Sequence, residues 1–273
     1  NAGIVADALN LGSSLQTLDF ASSQRAGSAG LSVALQVAIG GGGPILFTAS
    51  EKRKTKAASP LEMTSGDGAA AFLVGKGKVV ARLLSAHTEA VDFVDHFRGE
   101  NEEFDYGWEE RWIRDEGYLK IVPEAINAAL AEANVKAEDI TTFCFPVAAR
   151  GVAGAIAKKT GLPESAVADN MQENCGEAGT AHSMVMLAQA LQKSAPGDKI
   201  LVASFGQGSD ALLFEVTDEI KSLSPRRGIS GYLARRYAET NYNKFLAFRE
   251  LVNLERGIRA ETDKKTGLRT LYR

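Results

Sequence analysis

Cysteine is scarce in this chain: two, Cys144 and Cys175, stand among 273 residues. That argues against a disulfide framework and makes a reducing, cytoplasmic compartment the expected setting. Histidines number three, His87, His96 and His182, and their spacing matches no metal-ligand pattern, so no metal centre is expected. No apolar run reaches the roughly 20 residues of a membrane-spanning helix. Bulk positive charge is missing too. A net charge of −3 gives no general attraction for nucleic acid. What is present, 45% hydrophobic and 24% charged residues, is the composition of a soluble globular protein with a sizeable core.

Charge is unevenly spread. From Asp218 to Arg273 there are 13 Lys/Arg against 7 Asp/Glu, a difference of +6, which leaves −9 for residues 1–217. Such a segment is either a solvated helical extension or a docking surface for an acidic partner or for phosphates.

Self-similarity organises the rest. AGSA at 26–29 is echoed by AGTA at 178–181, and each leads into a small-residue and apolar run, LSVALQVA or SMVMLAQAL, that predicts a largely buried helix. A Gly-containing turn follows, then a strand (ILFTAS or ILVASFG) and a second strand (GDGAAAFLV or GSDALLFEV). Upstream, AGIVADALNLGSS resembles RGVAGAIAKKTGLPES. Two similar α/β halves are expected. The second is preceded by a helix and strand, IVPEAINAALAEANV and TTFCFP, with no counterpart before Asn1. The expectation is that the first half is incomplete in the numbered chain.

These motifs resemble the condensing branch of the thiolase superfamily, meaning ketoacyl synthase III and especially hydroxymethylglutaryl-CoA synthase. SGDGAAAFLV matches a family strand, SFGQGSDALLFEV its Gly-rich turn and last core strand, and DFVDHFRGENEEFDYGWEERWIRDEGYLKIVPEAI the insertion over the active-site mouth. The resemblance implies a five-layer αβαβα fold of two duplicated halves. It divides the chain into a partial first half (1–75), a lid insertion (76–120), a second half (121–217) and the basic extension (218–273). It also implies coenzyme A thioesters as substrates, no covalently bound cofactor, and assembly with itself or another thiolase-like chain. In bacterial relatives a segment like 218–273 joins a zinc-ribbon/OB-fold domain, so a separate protein of that kind is a further expected partner.

The family's chemistry uses a thiolate at a helix N-terminus, where unpaired N–H groups and the dipole favour the anion, together with a His and a His or Asn. On the AGSAGL frame the cysteine position falls on Gln24, which cannot form a thioester but can hydrogen-bond a substrate. Ser23 is an alternative nucleophile; the plainer reading is that Ser22 and Ser23 cap the helix. The first histidine position falls on Pro146, and the third on Glu177, with Cys175 two residues before it. Cys175 precedes a predicted helix start, where its thiol would be acidified; Glu177 is a candidate base or a helix-terminal charge. His96 lies in the lid with Asp92, Asp95, Tyr106 and Tyr118, a set able to move protons or simply to tie a polar loop. His182, in a Met- and Leu-rich helix, reads as a core histidine. Arg25, Arg150, Tyr106 and Tyr118 are candidate coenzyme A or substrate contacts. The turn Gly206, Gln207, Gly208 is expected to offer N–H groups to a thioester carbonyl.

Two functions follow. The first is carbon–carbon bond formation or cleavage in an acyl-CoA (condensation, retro-aldol or decarboxylation) without an acyl-cysteine. The second is a catalytically degenerate subunit that scaffolds an active partner.

Overall fold

Uninterrupted apolar strands build the deepest layer. In a computed structural model, which describes residues 1–21 and 23–254, β7 (Lys199–Phe205) and β8 (Gly208–Val216) are buried along almost their whole length. The remainder of the basic extension and Ser22, with its expected capping role, fall outside the described residues. Strands buried on both faces read as near-continuous apolar runs, and ILVA at 200–203 with Phe205 supplies one, broken by the buried Ser204. The sheet runs β3 (Ala81–Ala90), β8, β7, β6 (Thr142–Cys144), with β6 parallel to β7 and the other pairs antiparallel.

Side chains alternate across this sheet, as the pleat requires. Leu201, Ala203, Ala211 and Leu213 share a core with Val122, Ile126 and Ala129 of α5 (Leu119–Ala133). Ile200, Val202, Leu212 and Phe214 instead meet Met184, Met186 and Leu187 of α8 (His182–Lys193). Each of the Val, Leu, Ile, Met and Phe side chains among them contributes about 1.5–3 kcal/mol on burial. Helix α5 is set by apolar residues at 121, 122, 125, 126, 129 and 130, one helical face, and stops at Asn134 in the left-handed region (φ 51°). Its Pro123 cannot donate to the carbonyl of Leu119, which accepts from the Lys159 ammonium at 2.6 Å instead.

The second core extends to a smaller sheet, β1 (Ile45–Lys52) antiparallel to β2 (Asp67–Val74), through Leu31 and Ala38 of α2 (Ala26–Ile39). Helices α2 and α8 therefore lie between two sheets. The duplication is legible in the element order: α1 (Ala2–Ala8), α2, β1, β2 in one copy and α6 (Val152–Thr160), α8, β7, β8 in the other. The two copies differ in their strands' company. β7–β8 is flanked by β6 and β3, whereas among the described residues β1 and β2 pair only with each other.

Residues 76–120 do not form one insertion as expected. They first supply β3, an edge strand of the core sheet that is clipped to α5 by His87, whose ring meets Glu132 at 2.6 Å and Glu89 at 3.0 Å. The lid proper follows: the two-residue strands β4 (His96–Phe97) and β5 (Tyr106–Gly107), then α4 (Glu110–Trp112) and a π-helical turn (Ile113–Tyr118) running into α5. The short helices α3 (Pro60–Thr64) and α7 (Gln172–Cys175) sit in connections.

Asn1–Arg236 forms one compact unit, ending in α9 (Gly228–Leu233), which packs on α8. Tyr237–Arg273 is a second, whose described part holds α10 (Tyr242–Phe248), capped by Asn241. Among the described residues no helix is long and apolar enough to cross a membrane.

Candidate active site

The two copies of the repeated tetrapeptide meet face to face. A Cβ at Gly27 would stand 2.1 Å from the carbonyl oxygen of Thr180, so only glycine permits this approach. Contact is used: the Thr180 hydroxyl accepts from the Gly27 N–H at 2.8 Å, capping α2 from the other half of the molecule. Helix α2 is further fixed by Asp210, which is 1% exposed. Its carboxylate accepts from Ser28 (2.6 Å), Thr88 (2.8 Å) and Arg25 (2.6 Å). Ser23 does not cap the helix; its hydroxyl accepts only a long bond from the Arg25 N–H at 3.3 Å, and Arg25 occupies the N-cap position.

In front of this helix end lies a cleft of about 980 Å³, near the upper end of the range for ligand pockets. Ser23, Gln24, Pro146 and Glu177 line it, together with His96 and Tyr118 of the lid. The Gln24 amide donates to the main-chain carbonyl of His96, while its own oxygen is buried and meets no partner among the described residues. Ser204, 4% exposed at the end of β7 and also on the cleft wall, has a hydroxyl in the same condition.

One carboxylate organises the lid side. Asp95 accepts from His96 Nδ1 at 2.6 Å and from the Tyr118 hydroxyl at 2.5 Å. Burial works to raise the Asp95 carboxyl, but the hydrogen bond and charge of His96, the Tyr118 bond and the charge of Arg53 outweigh it and hold the group below its ordinary value. Burial, followed by the negative charge of Asp95, pushes the Tyr118 phenol well above its ordinary value. With Nδ1–H donated to Asp95, a neutral His96 ring carries its lone pair on Nε2.

The floor holds a buried cation absent from the sequence-derived site. Arg53, 2% exposed, donates to Asp105 at 3.0 Å and pairs with Glu177. Burial disfavours its charge, yet Glu177, Asp105 and Glu51 together raise the guanidinium's value. Arg53 stands within the charged stretch EKRKTK, yet β1 and its continuation alternate: Ala49, Arg53 and Thr55 are buried while Ser50, Lys52 and Lys54 are exposed. That period of two was the available signal. Glu177 is held from its backbone as well. Its N–H donates to Thr64 and its carbonyl accepts from Gly66, both at 2.8 Å, and a Cβ at Gly66 would fall 1.8 Å from the Cys175 carbonyl oxygen.

Several expected site residues are placed otherwise. Cys175 is the last residue of α7, at the carbonyl end of a helical turn rather than before an N-terminus. Its half-buried thiol donates to the Met171 carbonyl at 3.3 Å. Burial and the charges of Asp169 and Glu177 push it up, the reverse of the acidification expected, and it is not among the cleft-lining residues. Cys144 lies in the core, where burial pushes its thiol up to about 12. Arg25 is occupied by Asp210 and the Gly206 and Gln207 carbonyls, away from the lining. The turn expected to offer N–H groups has committed two of them, Gly206 to the Gly208 carbonyl and Gln207 to that of Phe93, both at 2.9 Å; Gln207 still borders the cleft. Gly208 is paired into β8 opposite Ala90. Tyr106 is exposed and packs edge-on against Phe97 at 5.5 Å, off the lining. Arg150 is exposed on the loop before α6, next to the lining residue Ala149. His182 is a core histidine: Nδ1 accepts from the Ala178 N–H at 3.0 Å, and Nε2 donates to the Asn170 carbonyl at 2.6 Å.

Comparison with known proteins places this geometry. The family model described as 3-oxoacyl-[acyl-carrier-protein] synthase III C terminal matches residues 130–214. Hydroxymethylglutaryl-CoA synthase of Methanopyrus kandleri is 29% identical over 168 residues, 60% of this chain and 47% of that protein. The Methanobrevibacter smithii synthase is 27% identical over 228 residues, 81% of this chain and 65% of that protein. A crystal structure of HMG-CoA synthase complexed with CoA superposes with a TM-score of 0.70 at 21% identity, covering 90% of this chain and 67% of that one. The chain is similar to thiolase-like condensing enzymes and shares their fold. It spans from about half to about two thirds of the length of these two curated relatives. It shares the mixed α/β fold, with α8 largely buried and α2 buried on one face, where the sequence predicted a largely buried helix; Val33, Val37 and Ile39 of α2 are exposed. Gln24, Pro146 and Glu177 all border one cleft, and among the described residues no cysteine lines it.

Proposed function

We propose that this chain makes or breaks a carbon–carbon bond in a coenzyme A thioester without an acyl-cysteine, by an aldol or retro-aldol step. The observation that carries this reading is the His96–Asp95–Tyr118 hydrogen-bonded set, which lines the cleft beside Gln24. In the cleavage direction His96 Nε2 takes the proton of a β-hydroxyl. The Cα–Cβ bond breaks, its electron pair passes into the thioester enolate, and the imidazolium returns the proton to Cα. Products are a carbonyl compound and a shorter acyl-CoA; no oxidant, water or covalent adduct enters the balance. Asp95 holds the ring's orientation and stabilises the transient imidazolium. The likeness to a CoA-bound synthase supports a thioester substrate, and two free thiols suit a reducing cytoplasm.

The experiment is turnover of 3-hydroxyacyl-CoA substrates, read as appearance of the shortened acyl-CoA, for the wild type and His96→Gln. The expected result is turnover that falls about 100-fold or more in the variant, with stabilisation by the thioester kept. Undiminished turnover in His96→Gln would remove histidine from the chemistry.

One observation favours a second reading, the scaffolding subunit. The first half exposes Leu73 (78%), Leu18 (67%), Ile39 (60%) and Ile4 (59%), the apolar surface of a chain that joins another thiolase-like protein or a zinc-ribbon/OB-fold protein. Thermal stabilisation by such a partner, with no turnover alone, is its expected signature.

A further inference from the structure

The charge balance of the cleft names a class of acyl group. Resting on the reading above, we propose that the substrate's acyl chain carries an uncharged oxygen, a β-hydroxyl or β-keto group, and no free carboxylate. Thioesters of dicarboxylic acids are thereby disfavoured, including the 3-hydroxy-3-methylglutaryl group that gives the relatives their name.

The floor is already saturated with negative charge. Arg53, the buried cation, is matched by Asp105 and Glu177 at hydrogen-bonding range, with Glu51 adding to the field. Asp95 adds another carboxylate on the lid side. A carboxylate arriving on the acyl chain would have to displace Glu177 or Asp105 from Arg53. It would leave that group unpaired in a poorly solvated site, or else stand unpaired itself. The other lysine and arginine on the lining are peripheral: Lys52 is exposed, and Arg98 is half exposed and lies 3.8 Å from Asp105.

Two neutral groups point the other way. The buried Gln24 carbonyl oxygen and the Ser204 hydroxyl lack partners among the described residues, and both residues border the cleft. An unpaired buried acceptor and an unpaired buried hydroxyl are each satisfied by a neutral ligand oxygen. The amide oxygen accepts from a hydroxyl, and the serine donates to a hydroxyl or ketone oxygen. A site built to hydrogen-bond one oxygen discriminates strongly against ligands lacking it.

Calorimetric titration of the full chain with five probes tests this: 3-hydroxybutyryl-CoA, acetoacetyl-CoA, malonyl-CoA, 3-hydroxy-3-methylglutaryl-CoA and coenzyme A. The first two should bind about tenfold or more tighter than malonyl- and hydroxymethylglutaryl-CoA. Ser204→Ala should weaken the first two while leaving coenzyme A unchanged, a split that a merely misfolded variant would not produce. Glu177→Gln should bring the carboxylated probes to within about threefold of the neutral ones. Binding of malonyl- or hydroxymethylglutaryl-CoA as tightly as the neutral probes overturns the acyl-class inference and leaves the thioester reading standing. Binding of none of the five overturns both.

Discussion

At the scale of single residues, Asp95 has the most to explain, since one carboxylate orients both His96 and Tyr118. Its folded-state value lies below the ordinary 3.8, so the group favours the fold in its charged form. The sign follows by linkage. The contribution is complete above the unfolded value, declines as pH falls through the interval, and is gone below the folded value. Asp95→Asn should therefore cost about 1–3 kcal/mol in urea unfolding at pH 7. The gap to wild type should stay constant down to about pH 5 and narrow below about pH 4. A gap that persists undiminished at pH 3 would show that the carboxylate's charge is not what matters. Residue identity also marks the limit of reading the sequence. Gln24, Glu177, His96 and Tyr118 were found from motifs and do border one cleft. Arg53 was hidden inside a run of charges, and the environment of Cys175 was inverted because a sequence does not show which end of a helical turn a thiol will face.

Among elements, the crossing of α2 with the turn that opens α8 governs the site, because it brings the two halves' helix ends to the same cleft. Gly27 makes the crossing possible, and its replacement has a built-in control. Gly27→Ala would place a methyl 2.1 Å from the Thr180 carbonyl and should destabilise by about 1–3 kcal/mol or more. Gly154→Ala, in α6 with nothing within 4 Å, should instead stabilise by about 0.5–1 kcal/mol through helix propensity. Chemical denaturation of both variants checks the pair; equal effects would mean the close approach is not a constraint. The two helices were legible beforehand because AGSA and AGTA each open a small-residue and apolar run, but their close approach at Gly27 was not. Nor was strand β3. ARLLSAHTEA has no clean alternation, and its register shifts between Leu83 and Ser85, so its residues read as part of an insertion.

For the whole molecule, a duplicated α/β unit puts two helices between two sheets and brings Gln24, Pro146 and Glu177 to one cavity. The fold was readable because apolar periodicity and repeat order survive in the sequence. The cleft's charge balance was not, because Arg53, Asp105, Glu177 and Asp95 come from distant segments. The central claim is that acyl-CoA chemistry here proceeds without a covalent acyl-enzyme, and intact-protein mass spectrometry with peptide mapping after incubation with acetyl-CoA tests it most directly. The account predicts that the wild-type chain keeps its mass while Gln24→Cys gains one acetyl group on the substituted residue. An acetyl group found on the wild-type chain at Ser23 or Cys175 would contradict it.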